Sequence, residues 1–292
     1  HLAHRLALVA SSGKQAAEIL SQWRAQKNGK ALWHGEVGHA KNLPIAFLFA
    51  PENPSILSVS ETLYEIAPVF KSAVRRCEEV VKSLTGESVL GELYASGGLP
   101  DSSSKSGIHD VAAFTQQYAL SELLGSWNIR PTIVYGEGVG ECVGAVVAGI
   151  VSLEDGLRLA FQRGGEVLPS AEKEIHYQRS KSAMVASLTG SLVEVEHPFT
   201  NEYWARQIKE SADGAAAVQN IDRENCSSFL EISSGMSHWD VADHVRGLPD
   251  SRCLSCLAES RDDWEHQLET LAALFVSGFD VDWQELYSGI DS

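Results

Sequence analysis

The sequence predicts an α/β fold in which a mostly parallel sheet is flanked by helices. Two observations carry this prediction. Short apolar runs alternate along the chain with longer segments whose apolar residues recur at helical spacing. The run PIAFLFA at 44–50 is apolar throughout, which is typical of a strand buried on both faces of a parallel sheet. With 292 residues, 44% of them hydrophobic, the chain is long enough to build a large core.

The predicted elements alternate in type. Ser11 or Ser12 can cap the first helix, Pro68 suits the first turn of the second, and Ser152 with Asp155 forms a capping box for a later one. Asn201 is expected to cap the helix around EYWARQIKE. Strands are predicted at 5–10, 44–50, 133–136, 182–190, 227–233 and 252–258, and long helices at 13–26, 68–84, 111–127, 152–163 and 264–276, with a polar loop at 96–107.

Composition and charge restrict the class of protein. The formal net charge is −16, which argues against nucleic acid or an anionic membrane as a partner. The negative charge either keeps the protein soluble or complements the basic surface of a partner. Apolar runs fall short of the ~20 residues that span a bilayer, and the start does not resemble a signal peptide. We therefore expect a cytoplasmic protein. Because its first residues already have the pattern of a strand, we expect the sequence to be part of a longer chain.

Five cysteines without a secretory signal are expected to be reduced thiols. Cys253 and Cys256 form a C-x-x-C, but a zinc site would need a second pair or nearby histidines. The alternation in CLSCLA instead favours a buried strand. We expect no metal site and no directly bound cofactor.

The stretch IVYGEGVGECVGAVVAG, 133–149, predicts a buried strand, a tight glycine turn and a helix of small residues. This is the order of a nucleophile elbow, G-x-S-x-G, whose tip here is Gly138. The glycines alone also fit any tight βα turn or a degenerate phosphate loop, although a phosphate loop needs Lys and Ser/Thr where Glu141 and Cys142 stand. Cys142 lies one helical turn past the tip and should face packing, so it is not expected to replace the nucleophile.

The surroundings of the elbow carry a resemblance. FTQQYALSELLGSWNIRPTIVYGEGVGECVGAVVAGIVSLEDGLRLAFQRG, 114–164, resembles the acyltransferase domains of modular polyketide synthases and, more distantly, malonyl-CoA:acyl carrier protein transacylases. HLAHRLALVASS at the start and LAALFVSGFDVDWQELY near the end are similar to the linkers on either side of that domain. The resemblance implies a ketosynthase-to-acyltransferase linker subdomain at 1–42, a hydrolase-like α/β core at 43–278, truncated around 164–181, and a post-acyltransferase linker at 279–292.

Departures from the family pattern fall on its catalytic positions. The resemblance places the nucleophile at Gly138, the neighbouring histidine at Glu137, the oxyanion-loop glutamine at Glu52 and a turn asparagine at Ser187. A carboxylate at the oxyanion position has the wrong sign to stabilise negative charge. A threonine–glutamine pair of the family is replaced by His109 and Asp110.

A small ferredoxin-like insert of the family, which carries the general-base histidine, has no counterpart in the sequence. Only 164–181 separates the two landmarks between which it would lie, and His176 in that segment does not match the family motif. Either the insert is deleted, or its residues are missing from this sequence.

Arg163 matches the arginine that holds the carboxylate of malonyl-type extender units in the family. It is either a remnant of the substrate site or the partner of an internal acid, for which Glu137 is the simplest candidate. The internal pairing is the favoured interpretation.

The resemblance and its departures together predict an inactive acyltransferase-like domain of a polyketide synthase or a hybrid with a nonribosomal peptide synthetase. It would act as a scaffold or as a docking platform for a trans-acting acyltransferase or an acyl carrier protein, beside the ketosynthase of its own chain. The family's reactions use malonyl-CoA and the phosphopantetheine of the carrier protein. The alternatives are a module that still binds a malonyl-type group through Arg163, and an enzyme with altered chemistry.

Overall fold

A computed structural model of the chain describes residues 3–26, 31–38, 43–51, 61–93, 106–165, 174–194, 199–226, 228–234, 240–248, 251–257 and 262–288. The strands in these residues are β1 (His4–Leu8), β2 (Leu32–Glu36), β3 (Ile45–Phe49), β4 (Ile133–Gly136), β5 (Ala183–Val185), β6 (Ser228–Ser234) and β7 (Arg252–Leu257). The helices are α1 (Gly13–Gln26), α2 (Glu61–Ile66), α3 (Pro68–Thr85), α4 (Val89–Leu93), α5 (Ser106–Ser126), α6 (Val139–Val147), α7 (Leu153–Arg163), α8 (Asn201–Gln207), α9 (Gly214–Arg223), α10 (Asp240–Arg246), α11 (Asp263–Ser277) and α12 (Trp283–Ser288).

The central sheet has five parallel strands in the order β5-β4-β3-β6-β7. β3 occupies the middle, and all five of its residues are buried, as its continuous apolar run predicts. The prediction of an α/β fold with a mostly parallel sheet flanked by helices is confirmed.

Side-chain alternation along β3 divides the core between the two faces of the sheet. Phe47 and Phe49 point into the larger core, which is shared with α3, α5, α6 and α7. Ala46 and Leu48 point into the smaller core, which α9 and α10 cover. The result is a three-layer sandwich in which both faces of the parallel sheet are buried.

β1 and β2 form a separate antiparallel pair that packs on α11. Arg5 Nη1 donates hydrogen bonds to the carbonyl oxygens of Phe275 (3.0 Å) and Phe279 (2.7 Å), and the guanidinium lies 4.9 Å from the centre of the Phe275 ring. β2 was not predicted, because Gly35 interrupts its pattern. A Cβ at Gly35 would clash with the backbone carbonyl of Val276, so the glycine permits the close approach of β2 to α11.

Three further differences from the sequence prediction have physical reasons. α5 begins at Ser106 rather than 111, because burial of Ile108 and Asp110 holds the end of the predicted loop in the helix. Thr200, not Asn201, caps α8 by accepting a hydrogen bond from the Tyr203 amide (3.1 Å). α9 and α10 were not predicted, because segments of 10 and 7 residues give only a short run of helical periodicity.

Cys253 and Cys256 lie on β7, as predicted, and their side chains enter the cores on opposite faces of the sheet. Two thiols on opposite faces cannot hold one ion. Among the described residues, histidine, cysteine and acidic side chains form no group of three or more that could bind a metal. None of the helices in the described part of the chain is long and apolar enough to cross a membrane.

The corner between β4 and α6 depends on contact between backbones. A Cβ at Gly140 would clash with the carbonyl oxygens of Phe49 and Ala50, and a Cβ at Gly136 would clash with the carbonyl group of Gly140. The Glu137 amide donates to the carbonyl oxygen of Phe49 (3.1 Å), which fixes the corner to the end of β3. Glycine is therefore required at both positions for steric reasons alone.

Replacing Gly140 by alanine should destabilise the protein by about 3 kcal/mol, because the β-carbon meets backbone atoms that cannot move aside. Urea unfolding measures this free energy. Gly125→Ala is the matched control, since its β-carbon would lie 3.5 Å from the mobile Arg130 guanidinium, in ordinary contact. The control should gain up to about 1 kcal/mol from higher helix propensity. Equal stability of the two variants would contradict the steric argument.

Glu231 is a buried carboxyl group on β6. Its Oε2 lies 3.8 Å from the Arg246 guanidinium, and its Oε1 has no hydrogen-bond partner among the described residues. Burial raises the pKa of Glu231 from an ordinary value near 4.5 to about 7, and Arg246 offsets only part of that effect. The folded protein therefore binds this proton more tightly than the unfolded chain does.

Protonated Glu231 should contribute up to about 3 kcal/mol to the free energy of unfolding. This contribution should be complete below pH 4.5 and should be lost as the pH rises through about 7. Glu231→Gln should abolish this part of the pH dependence. The measurement is the free energy of unfolding of wild type minus variant at pH 5 and at pH 8, with Glu79→Gln on the exposed face of α3 as the control. A difference that does not change with pH would contradict the assignment.

Candidate functional site

The candidate site lies where β4 ends and α6 begins, at the carboxyl edge of the parallel sheet. Ligand and catalytic groups of open α/β sheets gather at this edge. Gly138 stands at the tip of the turn with φ 55° and ψ −128°, in a region that residues with a side chain rarely adopt. The strand-to-helix turn of a nucleophile elbow is thus present, as the sequence predicts. The backbone conformation at its tip is strained for a residue with a side chain, but glycine adopts it freely.

Glu137 turns toward the smaller core and away from Arg163. The Tyr135 hydroxyl donates a hydrogen bond to Glu137 Oε1 (2.7 Å), and this oxygen lies beside Gly214 at the start of α9. Burial, together with the adjacent carboxylate, raises the pKa of Tyr135. The expected pairing of Arg163 with Glu137 is therefore wrong, because strand and helix direct the two side chains to different sides of the sheet.

Arg163, at the end of α7, binds two other groups. Its Nη1 donates to Gln207 Oε1 (2.7 Å), and its Nε lies 3.7 Å from Asp110 Oδ2. Gln207 Nε2 in turn donates to the carbonyl oxygen of Gly138 (2.7 Å). Gln207 thereby links the arginine directly to the tip of the elbow.

Glu141 lies beneath the elbow with no exposed surface. Its carboxylate accepts hydrogen bonds from the Ser187 amide (2.7 Å), the Ser187 hydroxyl (2.6 Å) and the Tyr203 hydroxyl (2.5 Å). Burial raises the pKa of Glu141, and these hydrogen bonds oppose the shift. Ser187, the residue predicted at the family's asparagine position, therefore joins the turn after β5 to the first turn of α6.

A cavity of about 280 Å³ opens between α7 and α8. Its polar lining consists of Arg163 and three carboxamide side chains, Gln162, Asn201 and Gln207, and apolar side chains form the rest. Those apolar residues include Leu159, Ile175, Trp204 and Ile208. The cavity is large enough for a small acyl group and is next to the elbow through Gln207.

The remaining residues named from the sequence differ in their surroundings. Cys142 is fully buried in the larger core, as expected for a packing residue. His176 is exposed, and its Nδ1 lies 3.0 Å from the carbonyl oxygen of Glu174. His109 precedes Asp110 on α5. Glu52 lies outside the described residues.

Gln207 and Tyr203 were missed by the sequence analysis. Both lie on α8, in the segment EYWARQIKE, which was recognised only as a landmark. Gln207 follows Trp204 by three residues, so the two share one face of the helix. A polar residue on the apolar face of an amphipathic helix was the available signal.

Comparison with known proteins finds relatives by sequence and by fold. The model of the acyl transferase domain matches residues 59–173. The chain is 30% identical over 165 residues to orsellinic acid synthase armB from Armillaria mellea, covering 55% of this chain and 7% of that protein. It is 24% identical to the polyketide synthase GfsA from Streptomyces halstedii, covering 94% of this chain and 5% of that protein. The chain therefore spans less than a tenth of these relatives.

The GfsA alignment is longer than the part of this chain that it covers. It extends over 376 positions, and 94% of 292 residues is 274, so about 100 aligned positions have no residue in this chain.

Solved structures agree with the fold. The acyltransferase domain from the second module of the salinomycin polyketide synthase superimposes with a TM-score of 0.85 at 20% identity, covering 98% of this chain and 85% of that one. The acyl transferase domain of ZmaA superimposes with a TM-score of 0.84 at 19% identity, covering 98% of this chain and 85% of that one. Residues 59–173 therefore resemble the acyl transferase domain family, and the chain has the fold of the acyltransferase domains of modular polyketide synthases.

Proposed function

We propose that this chain is a catalytically inactive acyltransferase-like domain of a cytoplasmic polyketide synthase or hybrid megasynthase. In this role it holds neighbouring domains in place and offers a platform for a trans-acting acyltransferase or an acyl carrier protein. The observation that carries the proposal is Gly138, which occupies the tip of a fully formed elbow and has no atom that can attack a thioester.

Acyl transfer through an elbow requires an oxygen or sulfur nucleophile and a base that takes its proton. In a serine protease, removal of the nucleophile alone lowers turnover by about 10⁶-fold. At the position beside the tip, a carboxylate stands where the resemblance expects histidine, and it is held by Tyr135. In total, about 100 positions of the GfsA alignment have no residue in this chain, which is enough to include loss of the insert that carries the family's base.

Glycine at the tip also changes the stability of the turn. A residue with a side chain held at φ 55° stores about 1–3 kcal/mol of strain, which active sites tolerate in exchange for an exposed nucleophile. Gly138 removes that strain. This is the direction expected of a domain retained for its fold.

A second candidate function is binding of a malonyl-type group at Arg163. The cavity next to this arginine supports it, because an arginine fork is suited to a carboxylate. The hydrogen bond to Gln207 and the nearby Asp110 weigh against it, since both engage the guanidinium from within the protein.

Incubation with malonyl-CoA should leave the mass of the protein unchanged, because the tip of the elbow carries no nucleophile. Intact-protein mass spectrometry measures this, with an acyltransferase that has a serine at the elbow as the positive control. A malonyl adduct on the wild-type protein would overturn the proposal.

Calorimetric titration with a discrete acyltransferase and with a carrier protein separates the scaffold from the binding module. The scaffold function predicts that one of these proteins binds. The binding-module function predicts that the carrier protein binds and that Arg163→Gln abolishes this binding.

A further inference from the structure

Asp110 is the carboxylate nearest to Arg163 among the contacts described above. The Arg163 and Asp110 side chains are only 13% and 8% exposed, and Nε and Oδ2 are 3.7 Å apart. At this distance and burial the two charges largely cancel, because little water is present to screen them.

The cavity is therefore less positively charged than its arginine alone suggests. Its wall combines an internally neutralised guanidinium and three uncharged carboxamides with apolar side chains such as Leu159, Trp204 and Ile208. A second carboxylate entering this space would have to compete with Asp110 for the same guanidinium, and it would meet a like charge. An uncharged acyl chain could pack on the apolar side chains without competing for the guanidinium.

The position of Asp110 is fixed by the fold. It lies in the first turns of α5, between Ile108 and Val111, which are both buried in the larger core. Asp110 is itself only 5% exposed, so its carboxylate cannot turn away from Arg163 into open solvent.

We propose that Asp110 is a specificity-determining residue that closes Arg163 to external carboxylates, so that the cavity between α7 and α8 binds uncharged acyl groups in preference to malonyl-type groups. The inference rests on the proposed function in one respect, that a bound thioester is not consumed. It concerns equilibrium binding and does not require that the domain transfer anything.

The test compares two ligands that differ by one carboxylate, the acetyl and malonyl thioesters of N-acetylcysteamine, with dissociation constants measured by ligand-observed NMR. Wild type should bind the acetyl thioester at least about tenfold more tightly than the malonyl thioester. This difference is small because breaking a buried ion pair costs more free energy than a tenfold change in affinity. Asp110→Asn should tighten malonyl binding by at least about tenfold. Asp110→Asn combined with Arg163→Gln should lose that gain.

Asp222→Asn, on the exposed surface of α9, makes the same change of net charge and should alter neither constant. Equal affinities of wild type for the two thioesters, or binding of neither, would overturn the proposal. So would malonyl binding that Asp110→Asn leaves unchanged. Should Asp110→Asn not fold, the wild-type ratio still decides. Mass spectrometry of the same samples distinguishes the two failures: a covalent adduct contradicts the proposed function, whereas equal affinities without an adduct contradict only this inference.

Discussion

The close contact between the first turn of α6 and the carboxyl end of β3 is the constraint on which the rest of the site depends. Gly140 brings two backbones together at Phe49 and Ala50, where no β-carbon fits. That contact sets the direction in which α6 leaves the sheet. It also presents Gly138 at the edge of the sheet and places Glu141 beneath it. The same geometry would serve a nucleophile, so the corner is retained although the reactive atom is not.

Polar groups around the corner are arranged to satisfy one another. Glu141 ties the turn at Ser187 and the aromatic helix α8 to the first turn of α6. Gln207 joins Arg163 to the Gly138 carbonyl oxygen. Buried polar networks that are internally satisfied rigidify a structure. This explains how a site with no nucleophile at its tip still has a defined geometry.

Sequence analysis was most successful where the structure follows from local pattern. The buried strand β3 and the elbow at Gly138 were predicted because apolar runs and glycine spacing are local signals. The pairing of Arg163 was not predicted, because it depends on where α5 begins, and that start is set by tertiary burial of Ile108 and Asp110, which precede the predicted helix. β2 was missed for the same kind of reason, since Gly35 is explained only by its contact with α11.

The central claim is that this domain supports acyl loading without performing it. The most direct measurement is the rate at which the carrier protein of the same synthase is acylated from malonyl-CoA, with this domain, with a discrete acyltransferase, and with both. The account predicts no acylation by this domain alone and a faster rate with both than with the discrete enzyme alone. Acylation by this domain alone, or a rate with the discrete enzyme that is the same in its presence and absence, would contradict it.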